Sequence, residues 1–254
     1  MSDAYTFPRE RRHTLFFLEQ ATAYRPVYLD TEIDMSQVIA HRKVCSVKRS
    51  YIAYVIQAVG RVVARFPEAN AMITGRLFPR LSRLPGVDAK FTLDKPLNGQ
   101  RIVVSAVVRN ADRATLDQIQ QRLDYFKQRE VTDCPEFASL LRLQRLPVWL
   151  GRWMFARAMR APASKGRLQG SFAVTSLGHQ PISRFVPQVG ATLTLGVGAI
   201  VDRAVVVDGA VQLKPILNLT LAFDHRVLDG AISAEILVDI KRELENYRYE
   251  EQAA

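Results

Sequence analysis

Residues 217–231, LNLTLAFDHRVLDGA, constrain the fold more tightly than any other stretch of the chain. Leu217, Leu219, Leu221 and Phe223 alternate with polar or small residues, the period of a strand that buries one face. Asp208-Gly209 upstream supplies the turn of a hairpin leading into it. Beyond the strand Ile232, Ile236, Ile240 and Leu244 recur at helical spacing, with Gly230 where that helix opens. A strand-to-helix corner therefore collects Asp224, His225, Arg226 and Asp229, the last beside the free N–H groups of a helix N-terminus. Histidine is the side chain whose proton moves near neutral pH, so His225, set between two carboxylates and an arginine, is the first candidate for acid–base chemistry. The plainer alternative is a solvated loop histidine.

With 254 residues, 48% hydrophobic and 24% charged, the chain is long enough for a sizeable core and is ordinary for a globular protein. Residues 1–12 are polar and charged, unlike a secretory leader, and no apolar run approaches the roughly 18 residues of a membrane span. A cytoplasmic location is expected. Cys45 and Cys134 lack metal-ligand spacing and have no neighbouring histidine to complete a site, so two free thiols are expected and no metal. The net charge of +10 attracts anionic partners. Nucleic acid is not expected among them, because the basic residues are scattered among apolar ones without zinc-finger, basic-zipper or RNA-binding aromatic patterns. An anionic coenzyme or an acidic carrier protein fits the same field.

Along the chain, residues 6–21 (TFPRERRHTLFFLEQA) predict a basic N-terminal helix. Val27, Leu29, Thr31, Ile33 and Met35 alternate with Asp30, Glu32 and Asp34 as a strand with one wet face. Residues 51–66 place Ile52, Val55, Ile56, Val59, Val62 and Val63 at helical steps until Pro67 stops the pattern. Residues 76–86, rich in Arg, Pro and Leu, read as irregular. Asn98-Gly99 then predicts a hairpin, and Thr115 with Gln118 a capping box ahead of a helix. Residues 141–162, LRLQRLPVWLGRWMFARAMRAP, interleave apolar bulk with arginines. Packing on the protein's own core is expected there, ahead of a membrane surface or partner groove. Gly196 and Gly198, in LGVGAI, lack the rest of a phosphate loop and are expected to allow a bulge or close packing.

The motif DHRVLDG at 224–230 resembles the DHRxxDG signature of the acyltransferase component of the 2-oxo-acid dehydrogenase complexes, and is similar to the HHxxxDG signature of chloramphenicol acetyltransferase. FPEANA (66–71) is similar to the first family's PEVNA, RNADRATLDQI (109–119) to VVRDADRKSLSEI, GSFAVTSLG (170–178) to GTFTISNLG, and VGAIVDRAVVVDG (197–209) to VGRIxERPVVxDG. The likeness runs from about residue 6 to 247, is densest in the C-terminal third and leaves residues 134–163 unexplained. It implies an α/β fold of chloramphenicol acetyltransferase type, a mixed sheet covered by helices. Residues 1–254 then form a single acyltransferase catalytic domain with an atypical inserted segment at 134–163.

The resemblance further implies a homotrimer, or an assembly based on one, with each active site at a subunit boundary. His225 is then the general base of acyl transfer, and a hydroxyl from the neighbouring subunit stabilises the oxyanion. Thr175 falls where the family has its serine, with Ser176 next to it, so either is the candidate donor. Asp229 becomes a catalytic-loop residue braced by Arg11 or Arg12, and Arg226 a second brace or a contact for a coenzyme phosphate. The substrates implied are thioesters of coenzyme A, of carrier-protein phosphopantetheine or of a lipoyl group, possible partners being an acyl carrier or lipoyl protein; the scheme requires no metal. No lipoyl or subunit-binding domain precedes the matching region, so a stand-alone enzyme is expected. The competing expectation is a trimeric scaffold or partner-binding protein that keeps the fold without the reaction.

Overall fold

A computed structural model describes residues 6–75 and 77–248. The first five residues of the polar N-terminal stretch, and Arg76 of the stretch read as irregular, lie outside the described residues. The organising element is a six-stranded mixed sheet in the order β1-β8-β7-β6-β4-β5, made of β1 (Pro26–Asp34), β4 (Ala89–Leu97), β5 (Gln100–Val108), β6 (Phe172–Ser176), β7 (Leu193–Val207) and β8 (Ala210–Asp224). β6 runs parallel to both of its neighbours, and the other pairs are antiparallel. Both predicted hairpins form: Asn98 and Gly99 turn β4 into β5, and Asp208 and Gly209 turn β7 into β8. All four turn residues have positive φ, between 49° and 79°, the conformation that Asn, Asp and Gly tolerate best.

One face of the sheet carries the main core. Helices α3 (Tyr51–Arg65), α4 (Leu116–Gln128) and α8 (Gly230–Glu245) pack there over Phe91, Phe172, Leu193, Leu219 and Leu221, with α2 (Ser36–Val44) beside α8. Thr115 and Gln118 form the capping box at the start of α4: the Gln118 N–H donates to Thr115 Oγ1 at 3.1 Å, and the Thr115 N–H to Gln118 Oε1 at 3.0 Å. On the opposite face a smaller cluster gathers Ala21, Tyr24, Val189 and Ala222 beneath α1 (Arg12–Ala21).

The sequence pattern is corrected at three places. Residues 76–86 are not wholly irregular, since β3 (Arg80–Arg83) pairs with β2 (Ala71–Thr74) in a small second sheet. The polar face of β8 is not wet: Asn218, Thr220 and Asp224 are buried, because α1 and the chain near Val189 close over it. Cys45 does have a histidine neighbour, His41 Nε2 lying 3.3 Å from its Sγ; both cysteines are free.

The atypical segment does pack on the core, on one of its sides. It folds as α5 (Ala138–Arg145), α6 (Val148–Arg160) and α7 (Pro162–Gln169). Its packing on the core is one-sided: Gly151 seats against the Phe16 ring and Phe155 lies 6.4 Å from it, whereas Trp149 and Trp153 face solvent. Gly196 and Gly198 serve both expected purposes. The β7–β8 register shifts between Val197 and Ile200, and a Cβ on Gly198 would lie 2.0 Å from the Ser183 carbonyl oxygen.

Candidate active site

The corner after β8 is held rigid from below. Asp224 is 1% exposed, and its carboxylate takes a two-pronged contact from Arg226, Nε to Oδ1 at 2.9 Å and Nη2 to Oδ2 at 2.6 Å. Oδ1 also accepts the backbone N–H of Arg25 at 3.4 Å, tying the corner to the start of β1. The Asp224 carbonyl accepts the N–H groups of Val227 at 2.8 Å and Leu228 at 3.2 Å, which closes the turn. Arg226 lies over the Tyr24 ring, 5.3 Å from its centroid, and the Asp224 carboxylate raises the pKa of its guanidinium. Burial pushes the Tyr24 hydroxyl up to about 12, so it stays protonated, donating to Gln169 Oε1 at 3.0 Å.

His225 rides on this clamp. Its backbone N–H donates to the Arg25 carbonyl at 2.9 Å, and its side chain is 44% exposed. Asp229 Oδ1 lies 3.6 Å from Nδ1, beyond hydrogen-bond length, with the Asp229 side chain 89% exposed. Neither imidazole nitrogen makes a hydrogen bond among the described residues. Asp229 occupies the N-cap position of α8 without a side-chain cap bond, while its carbonyl accepts the Ser233 hydroxyl at 2.9 Å.

Among the described residues, neither Arg11 nor Arg12 pairs with Asp229. Arg12 Nη1 instead donates to the carbonyls of Gln144 at 3.2 Å and Leu146 at 2.8 Å, satisfying acceptors at the C-terminal end of α5. Arg11 lies over the Phe7 ring at 5.9 Å. The carbonyls at the end of α5 are a competing set of acceptors.

The two candidate hydroxyls at the end of β6 have different surroundings. Thr175 Oγ1 accepts the Thr92 hydroxyl at 2.8 Å, leaving its own proton free to donate. Ser176 Oγ accepts the Gly178 N–H at 3.2 Å, the bond of a local turn. Sequence reasoning missed Thr92, since nothing local links it to Thr175; only the lateral alignment of β4 and β6 does.

Strand register separates these hydroxyls from the histidine. Thr175 stands opposite Gly196, and Gly196 opposite Thr220, five residues short of His225. At about 3.3 Å per residue, and two strand spacings of about 4.8 Å, His225 and Thr175 are roughly 16 Å apart along the strands and 10 Å across them. One chain therefore does not bring base and hydroxyl together.

The fold places the chain in the chloramphenicol acetyltransferase-like class. A structure of chloramphenicol acetyltransferase matches with a TM-score of 0.50 at 12% identity, covering 95% of each chain. The dihydrolipoamide acetyltransferase of Azotobacter vinelandii, studied for the catalytic roles of a serine, a histidine and an asparagine four residues beyond it, matches with a TM-score of 0.71 at 21% identity over 98% of this chain and 93% of its own. Residues 157–249, the C-terminal part of the chain, match the model of the family described as 2-oxoacid dehydrogenases acyltransferase (catalytic domain). Among curated relatives, the dihydrolipoyllysine-residue acetyltransferase component of the pyruvate dehydrogenase complex of Bacillus subtilis (strain 168) is 27% identical over 226 residues, 85% of this chain and 44% of the relative. The chain thus spans somewhat under half the length of the relatives it matches. Among the described residues no helix is long and apolar enough to cross a membrane.

Proposed function

We propose that this protein is an acyltransferase that moves an acyl group between two thiols, with coenzyme A or a lipoyl or carrier-bound thiol as donor and acceptor. The observation that carries the reading is the half-exposed His225 imidazole, both nitrogens unbonded among the described residues, fixed on a corner that Asp224 and Arg226 lock. The family match across this corner and the names of the relatives support it.

A thiol of pKa about 8.5 is mostly protonated at neutral pH, so its attack on a thioester carbonyl needs a base. His225 takes the S–H proton as the sulfur–carbon bond forms. The oxyanion of the tetrahedral intermediate accepts the Thr175 hydroxyl proton, with Thr92 holding that hydroxyl from behind. When the old carbon–sulfur bond breaks, the leaving thiolate recovers the proton from His225. Asp229, 3.6 Å from Nδ1, stabilises the imidazolium formed in between. An asparagine stands at the same spacing in the Azotobacter protein, which supports a polar orienting role for Asp229.

The separation of His225 from Thr175 supports a homotrimer in which the two come from different subunits. The test mixes two inactive variants, His225→Ala and Thr175→Val, by denaturing and refolding them together, then measures transfer from acetyl-CoA to dihydrolipoamide. Random reassortment should restore activity at about a quarter of the subunit boundaries, since each needs an intact histidine on one side and an intact threonine on the other. No recovery from mixing, with the wild type active after the same treatment, would place both groups in one chain. Wild-type protein without transfer from any acyl thioester would leave the scaffold reading.

A further inference from the structure

Both tryptophans of the chain stand on the solvent side of α6, Trp149 70% and Trp153 59% exposed. The segment around them is charged with one sign. Residues 138–169 contain six arginines, one lysine and no acidic residue, seven positive charges in a chain whose net charge is +10. Two of the seven are engaged: Arg152 pairs with Glu19 through both ends of its guanidinium, and Lys165 Nζ donates to the Ile73 carbonyl at 2.9 Å. Arg142, Arg145, Arg157, Arg160 and Arg167 are exposed and make no ion pair among the described residues, Arg157 lying 6.0 Å from the Trp153 ring centroid.

Helical periodicity puts Trp149, Trp153, Arg157 and Arg160 on one face. The opposite side of α6 is already occupied by its packing on Phe16, so the outer face is not an unfinished piece of the core. Aromatic and basic groups on one convex helix surface call for a partner that is anionic, flat and able to take up an amphipathic ring.

We propose that the outer face of α6, with the end of α5, docks the protein on an anionic phospholipid surface. Trp149 and Trp153 enter the headgroup layer, where an indole keeps its N–H in a polar zone and its ring in an apolar one. The guanidiniums of Arg142, Arg145, Arg157 and Arg160 pair with lipid phosphates, the fork geometry suiting two oxygens at once. A docked peptide would need a groove, and the two best-formed clefts, of about 310 and 420 Å³, are lined by residues of other elements. A bilayer surface covers a ridge without one.

Because the chain has no other tryptophan, its tryptophan fluorescence, excited selectively over the eight tyrosines, reports on this face alone. The full-length protein is mixed with phosphatidylcholine vesicles, with and without phosphatidylglycerol, at low and high salt. Anionic vesicles should shift the emission to the blue and pull the protein down on sedimentation, and salt should reverse both. Arg157→Gln combined with Arg160→Gln should weaken partitioning on the order of thirtyfold, at about fivefold per arginine. Trp149→Ser with Trp153→Ser should weaken it while circular dichroism and oligomer size stay unchanged. Absence of binding to anionic vesicles overturns the proposal. So does a fall in oligomer size in the tryptophan double variant, which assigns the face to a second copy. An emission shift with soluble polyglutamate but not with vesicles overturns it in favour of an acidic protein.

Discussion

At the scale of single residues, the sheet face shared by Thr175 holds a second unusual group. Lys90 is 7% exposed, its Nζ 3.5 Å from the Gly190 carbonyl and 5.3 Å from the Phe17 ring centroid, and burial alone pulls its pKa down to about 8. The unfolded lysine titrates near 10.4, so between about pH 8 and 10.4 the unfolded chain binds more protons than the folded one and stability rises with pH. Below pH 8 the folded chain carries the full penalty of a buried charge. Lys90→Met should therefore stabilise the protein at pH 7, by on the order of 3 kcal/mol, and lose that advantage by about pH 10. Urea denaturation of both proteins at the two pH values reads the difference, and an equal gap at both would refute it. The two hydroxyls make a sharper pair. Thr175→Val should lower kcat by about 10²–10³, the value of one oxyanion donor, whereas Ser176→Ala, which removes only a turn bond, should leave kcat near wild type. The choice between them was open in the sequence because both positions carry a hydroxyl; what separates them is Thr92, on another strand, and the Gly178 N–H.

At the scale of elements, what was legible depended on whether the cause is local. The turns at Asn98-Gly99 and Asp208-Gly209, the capping box of α4 and the helix ending ahead of Pro67 are written in two to four adjacent residues, and all form. The corner 224–229 was legible for the same reason, as a period change from two to 3.6 within a few residues. The arginine brace failed because Arg12 had a choice of acceptors, and the carbonyls at the end of α5 are nearer neighbours of α1 than the corner is. The buried polar face of β8 was illegible because its cover, α1 and the chain near Val189, is distant in sequence. Two substitutions test these accounts by denaturant unfolding. Thr115→Ala should cost about 1 kcal/mol through the lost cap. Gly198→Ala should cost more, about 1–3 kcal/mol, because its methyl meets the Ser183 backbone and not a side chain that can swing aside.

At the scale of the whole molecule, the strands β7 and β8 outrun the sheet. β6 ends opposite Val197 and β1 opposite Ile216, so Asp202 to Val207 and Ala210 to Pro215 find strand partners only in each other and project as a two-stranded ribbon, tied at its base by the Met35 N–H to the Pro215 carbonyl and by the ion pairs of Arg203 with Glu32 and Lys214 with Asp34. A lone ribbon is marginally stable and offers open edges, yet this one also carries Val206, Val211 and Leu213 at 73%, 73% and 76% exposure. Apolar residues on a projecting hairpin gain most when another subunit covers them, which agrees with an active site that one chain leaves divided. If the ribbon clasps a neighbour, Val206→Ser combined with Leu213→Ser should shift the protein toward monomer in light scattering as it is diluted. Activity should fall along the same dilution curve, because each separated chain keeps His225 but loses the hydroxyl facing it. Diluted variant that stays trimeric would free the ribbon from assembly, and diluted monomer that keeps full activity would remove the shared site itself.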